Sequence, residues 1–230
     1  MRVLLLCLLH VTGLFAQDRS WEQLQHLCET YARQRTMAFQ TRLKMYTAQQ
    51  PVKVLDELQA VCRVNGRRFY AQIGPVEIVK NSHCQLTIDH DEKIMVVAPA
   101  DTAAQQGDMT TTLMDMGKLL QDMKEWGVKA RQVLRGNDTW LELTGLPDPA
   151  MQQCNIQYDP QTFLIKRVWM KAMDETVNAE EAVIVDIAYS DYRLSTPEAT
   201  WFNEGRFVRM NGKQAVLQPS WQQYTLINQL

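Results

Sequence analysis

Leu58-Gln59-Ala60-Val61-Cys62-Arg63-Val64-Asn65-Gly66-Arg67-Arg68-Phe69-Tyr70-Ala71-Gln72-Ile73 reads as two short runs rich in β-branched and aromatic residues, joined at Asn-Gly. Asn-Gly is the preferred dipeptide of a type I′ hairpin, whose two central residues both need positive φ. The same device recurs outward from this stretch. Gly74-Pro75 separates it from residues 76–79, and residues 84–88 turn through Asp89-His90-Asp91-Glu92 into 93–98. Further on, 129–134 turn through Arg135-Gly136-Asn137-Asp138 into 139–143, and 154–158 turn at Asp159-Pro160 into 162–171. Residues 182–189 form another apolar strand, and 206–210 turn at Asn211-Gly212 into 214–217. Upstream, residues 37–46 alternate, with Phe39, Leu43 and Met45 on one face and Gln40, Arg42 and Lys44 on the other. This amounts to about eleven strands with no βαβ rhythm, so neighbours are expected to pair antiparallel. The expected fold is mainly β: a curved antiparallel sheet forming a half-open, unclosed β-barrel covered by two or more helices.

Two stretches break the strand rhythm. Over residues 20–34, Trp21, Leu24, Leu27, Cys28 and Tyr31 recur at three and four residues, with Ser20 placed to cap and Gln23 at the capping-box position. After a polar linker at 100–108, residues 109–127 carry Met109, Leu113, Met116, Leu120 and Met123 at helical spacing, and Gly127 stands where a helix would stop. Methionine is flexible and polarisable and suits surfaces that accept varied apolar ligands, so this stripe fits a lid over a lipid-binding concavity. It equally fits ordinary packing against a sheet.

Arg2, the apolar run 3–9 and the small residue Ala16 form the three parts of a secretory signal, with cleavage expected after Ala16. The run is too short to span a bilayer, and Cys7 lies inside it, which argues against lipidation. Residues 17–230 then form a single domain in the periplasm. The formal net charge is −2 with no basic stripe, a poor match to nucleic acid or to purely electrostatic lipid binding. Cys28, Cys62, Cys84 and Cys154 permit two disulfides in any of three pairings or remain free and buried; no CxxC or zinc spacing occurs among them.

Catalytic signatures are missing from the sequence. There is no G-x-S-x-G, no H-E-x-x-H and no glycine-rich phosphate loop. Asp89-His90-Asp91-Glu92 matches no calcium loop and suits a solvated hairpin tip. His26 and His83 stand near Cys28 and Cys84 in sequence without the context of an activated thiol, and the histidines read as surface residues. Asn137-Asp138-Thr139 fits the glycosylation pattern and, more simply, a hairpin turn. Neither enzyme activity, nor a cofactor, nor a metal is expected.

The order of elements — export signal, helix, strand meander, helical insertion, further strands — resembles the outer-membrane lipoprotein carrier family (LolA-like), with its LolB and RseB-type relatives. Met37-Ala38-Phe39-Gln40-Thr41-Arg42-Leu43 resembles the family's outer strand, and Gly66-Arg67-Arg68-Phe69-Tyr70 its turn into an aromatic strand. The hairpin between Ile88-Asp89 and Val96, and Ala188-Tyr189-Ser190-Asp191-Tyr192, resemble later parts. The chain departs from the family in its four cysteines, its short helical insertion and its aromatic tail with Trp221 and Tyr224. The resemblance implies a monomeric binding protein for lipid or lipoprotein acyl chains, acting in lipoprotein sorting or lipid transfer and meeting envelope membrane proteins. The other role on the same scaffold is a protein-interaction or sensor module whose concavity its own side chains fill. Cavity and lid candidates are Phe39, Leu43, Met109, Leu113, Met116, Leu120 and Met123, and Arg42 is the nearest candidate by context for the family's functional arginine.

Overall fold

A computed structural model describes residues 19–100, 116–173 and 182–230, and of 116–119 the backbone alone. The signal segment, Met109, Leu113 and the side chain of Met116 lie outside the described residues. Helix α1 spans residues 19–33 and α2 Met116–Glu125. The strands are β1 Thr36–Thr47, β2 Asp56–Asn65, β3 Arg68–Ile73, β4 Val76–Lys80, β5 Cys84–Asp89 and β6 Ile94–Pro99, then β7 Lys129–Arg135, β8 Asp138–Thr144, β9 Met151–Tyr158, β10 Ile165–Met173 and β11 Ala182–Arg193. The last three are β12 Val208–Asn211, β13 Gln214–Leu217 and β14 Thr225–Asn228. Strands hydrogen-bond in the order β14-β6-β5-β4-β3-β2-β1-β11-β10-β9-β8-β7, while β12 and β13 form a separate ribbon. The order does not return on itself, so the large sheet is not closed into a barrel, as the hairpin pattern predicts.

One departure is β14, which pairs parallel with β6 and not antiparallel. A strand following its neighbour by a two-residue turn must reverse direction. β14 reaches β6 only after the chain has crossed through residues 199–221, so that constraint does not apply.

A second departure lies in the hairpin turns. Asn65 pairs with Arg68, which makes Gly66-Arg67 the central residues, and only Gly66 of the pair has positive φ, at 61°. That is the pattern of a type II′ turn, with glycine first, and not the expected type I′. The β12–β13 turn repeats it: Asn211 pairs with Gln214, and Gly212 carries φ 62°. In both, the asparagine closes the ladder and leaves the left-handed position to glycine.

The chain sorts into two compact units. The first holds α1, Leu43–Glu57 and Met116–Ala188; the second holds Gln34–Arg42, Leu58–Asp115 and Tyr189–Leu230.

In the first unit, Leu24, Leu27, Cys28 and Tyr31 form the buried stripe of α1, at the spacing the sequence shows. Ser20 does not act as the expected cap. Its Oγ accepts the Gln132 N–H at 2.9 Å, so it covers a backbone group on the edge strand β7. Gln23 likewise turns away from the helix end, with Oε1 accepting from the Tyr158 hydroxyl at 3.3 Å. Helix α2 stops where Gly127 predicts. Gly127 N–H donates to Lys124 O, Val128 N–H donates to Met123 O, and Gly127 sits at φ 71°, which is a Schellman termination.

In the second unit, the buried face of β3–β6 carries Tyr70, Val79, Leu86, Ile88, Met95 and Val97. Among the described residues it is covered by the C-terminal segment through Phe202, Phe207, Val208, Ala215 and Tyr224, and not by an amphipathic helix. Each such side chain taken fully from water contributes about 1.5–3 kcal/mol, which is how a segment with only short helical turns stays seated.

Gly66→Ala tests the turn assignment. Nothing lies within 4 Å of an added Cβ, so the whole cost is left-handed backbone. The expected loss is about 1 kcal/mol in chemical denaturation, with an unchanged m-value. No loss in Gly66→Ala would refute the turn.

Candidate functional site

Strand registers in the first unit divide its sheet into two chemically distinct faces. Ala130, Leu143, Cys154, Met170 and Val185 stand opposite one another across β7–β8–β9–β10–β11. Two residues along, Leu141, Ile156, Val168 and Ile187 do the same. This face is apolar from strand to strand. Its cover is uneven: Ala130, Leu141 and Leu143 are buried, whereas Cys154, Ile156, Val168, Met170, Val185 and Ile187 are only half-buried. Helix α1 holds the far end, where Tyr31 Oη accepts the Ile165 N–H at 2.9 Å, Tyr158 is buried and His26 packs on Phe163. Six half-buried apolar side chains on three adjacent strands make a patch that water contacts at a free-energy cost.

The opposite face is polar and satisfied. Arg131, Glu142, Asn155, Trp169 and Asp186 form one cross-strand row. Arg131 and Arg135 both pair with Glu142. Arg167 grips Asp186 through Nε and Nη2, and the Tyr46 hydroxyl donates to the same carboxylate at 3.0 Å. Burial pushes the Asp186 carboxyl up, but hydrogen bonds from Arg167 and Tyr46 outweigh it and hold the group below its ordinary value. For Glu142 the Arg131 bond leads, in the same direction.

Among the sequence candidates, Phe39 is buried, with ring centroids 5.8 Å from Tyr189 and 5.7 Å from Tyr192 in the second unit. Leu43 is half-buried in the first unit, Leu120 is half-buried and Met123 is buried. Phe39 and Leu43 thus serve different units, which alternation along one strand could not reveal. Arg42 is exposed. The sequence reading missed Ile156, Val168, Met170, Val185 and Ile187, because a half-open face and a sealed one carry the same residue types.

The four cysteines are free. Burial pushes each thiol up to about 11, so all stay protonated at neutral pH and are poor nucleophiles. His90 is not the surface residue expected. It is half-buried, with Nδ1 2.7 Å from Tyr224 Oη and Nε2 3.3 Å from the buried Glu77, because the aromatic tail folds back over it. The Asp89 carboxylate accepts the N–H groups of Asp91 and Glu92, each at 3.0 Å, and so shapes the turn.

Several solved structures are similar to this chain at low identity. A LolA superfamily protein from Nitrosomonas europaea is 10% identical, with 79% of this chain and 98% of that one covered and a TM-score of 0.38. An uncharacterised conserved protein from Thermus thermophilus is 11% identical, with coverages of 77% and 91% and a TM-score of 0.46. LprF from Mycobacterium bovis is 10% identical, with coverages of 79% and 97% and a TM-score of 0.41. No protein-family model matches the sequence, and no curated protein does.

The polar row yields a pH prediction. Asp186 is depressed in the folded state, so its contribution is present above its unfolded value of 3.8 and is lost as pH falls through the folded value. Asp186→Asn should lower stability at neutral pH by about 1–3 kcal/mol. Its melting temperature should then fall less than that of the wild type between about pH 5 and pH 3. Parallel falls in the two proteins would refute the assignment.

Proposed function

We propose that the chain is a periplasmic binding protein for lipid or for the acyl chains of lipoproteins, made as a signal peptide at residues 1–16 followed by one LolA-like domain over 17–230. The observation that carries this reading is the half-buried apolar face of β9, β10 and β11 in the first unit. Exposing an acyl chain to water costs about 0.8 kcal/mol per CH₂, so a carrier must offer a surface that substitutes for the membrane. Val168 and Met170 sit on the central strand of the patch, with Ile156 and Cys154 on one side and Ile187 and Val185 on the other. Partial cover suits exchange: a fully sealed core would admit no chain, and a fully exposed one would aggregate. The polar row on the reverse face is paired within the sheet. In this reading Leu43, Leu120 and Met123 help line or lid the site, Met109, Leu113 and Met116 are further candidates from their sequence spacing alone, and the partners are lipoproteins and envelope membrane proteins.

A second reading, a protein-interaction or sensor module without lipid cargo, is favoured by the second unit, where the chain's own Phe202, Phe207 and Tyr224 occupy the apolar face.

The exported protein, purified without detergent and extracted with chloroform and methanol, should release phospholipid or acylated species detectable by mass spectrometry. It should also take up a fluorescent fatty acid. Val168→Asp combined with Met170→Glu should reduce both at least tenfold while the ligand-free protein still melts cooperatively. Absence of extractable lipid together with absence of uptake would overturn the carrier reading and leave the interaction module.

A further inference from the structure

The second unit contains a cleft of about 610 Å³ beside the β4–β5 turn. That volume falls in the range of small-molecule sites, about 300–1,000 Å³. Pro99, Met210 and Leu230 supply an apolar wall, and His83, Glu204 and Lys213 supply the polar side.

The polar side is built from the core outward. Asn81 is buried, and its Nδ2 donates to the Phe202 carbonyl at 3.0 Å and to Glu204 Oε2. Its Oδ1 accepts the backbone N–H groups of His83 at 2.8 Å and Cys84 at 3.2 Å. One asparagine therefore fixes the turn and the glutamate together. Glu204 Oε1 lies 3.0 Å from His83 Nδ1, so both oxygens of the carboxylate are engaged within the protein. Lys213 differs. Its backbone carbonyl accepts from Asn228, but its ammonium has no ion-pair or hydrogen-bond partner among the described residues.

The cleft thus combines an uncommitted positive charge and an apolar wall, with both oxygens of the Glu204 carboxylate already engaged within the protein. We infer that it is a binding site for a small monocarboxylate with an apolar body, of the medium-chain fatty acid class. Lys213 takes the carboxylate, and Met210, Pro99 and Leu230 receive the hydrocarbon. A neutral alcohol of the same length forfeits the charge-assisted contact, and a quaternary ammonium meets Lys213 as a like charge. The inference does not rest on the apolar face of the first unit and survives if that face binds nothing.

Calorimetric titration with decanoate, decanol and decyltrimethylammonium tests it in the full chain carrying Val168→Asp and Met170→Glu, so that uptake on the first unit's face does not add to the signal. Decanoate should bind, and the other two should bind at least tenfold more weakly. Lys213→Gln should weaken decanoate about tenfold and Lys213→Arg should restore most of the loss, since Lys213 is exposed and its replacement leaves the core untouched. Met210→Glu should abolish binding. No decanoate binding in that chain, equal affinity for decanol, or indifference to Lys213→Gln would each overturn the inference.

Discussion

Alternating side chains leave a β-sheet with one face that water rejects, and the chain must cover that face with something of its own or leave it to a ligand. The second unit takes the first course. Leu86, Ile88, Met95 and Val97 are fully buried beneath Phe202, Phe207 and Val208, none of which lies on a helix longer than four residues. The first unit divides the task. Helix α1 seals the Tyr158–Ile165 end, while β9, β10 and β11 keep apolar residues at half exposure. The same constraint therefore produces a closed core in one unit and an open face in the other.

Covering a sheet with an irregular segment raises a polar difficulty, which Glu77 makes visible. It stands on the buried face of β4, opposite Ile88, where an unpaired carboxylate would cost several kcal/mol. Arg206 reaches one oxygen at 3.2 Å and His90 the other at 3.3 Å, and Tyr70 adds a hydroxyl. His90 in turn meets Tyr224. Arg206 and Tyr224 both belong to the covering segment, so the ionic cluster fixes where that segment sits. Cation–π contacts work alongside it: Arg63 lies 3.7 Å from the Trp201 ring centre, and Arg206 stacks near Phe207. Apolar burial holds the segment down, and these directional contacts select one placement of it.

Much of this was legible in the residues. Asn65-Gly66, Gly74-Pro75 and Asn211-Gly212 marked hairpins that exist, and Gly127 marked a helix end that exists, because turn chemistry is local and needs no partner from afar. What failed was what depends on distant chain. The sequence could not tell type I′ from II′ at Gly66, since that follows from whether Asn65 or Arg67 closes the ladder. It could not place β14, whose parallel neighbour is more than a hundred residues earlier. Ser20 looked like a cap because a serine before an apolar stripe usually is one; the edge of β7, which claims its hydroxyl, is invisible from position 20. Half-burial at Val168 and Met170 was equally hidden, since periodicity reports which face is apolar and not how much of it is covered.

The two faces of the first unit also constrain each other. An apolar face left half-buried contributes less burial than a sealed one, so the sheet beneath it must be held in register by other means. The row Arg131–Glu142–Asn155–Trp169–Asp186 runs across the same five strands on the reverse side, and its charged members are paired across the strands. Exposed pairs contribute little singly, but Asp186 and Asn155 are buried, so displacement of either by one residue would strand a polar group. A slip of β10 against β11 would at once break Arg167–Asp186 and move Val168 and Met170 to the wrong side of the sheet. The polar row therefore penalises the misregister that partial burial alone would tolerate, which is how an apolar face can stay open without the strands that carry it losing their alignment.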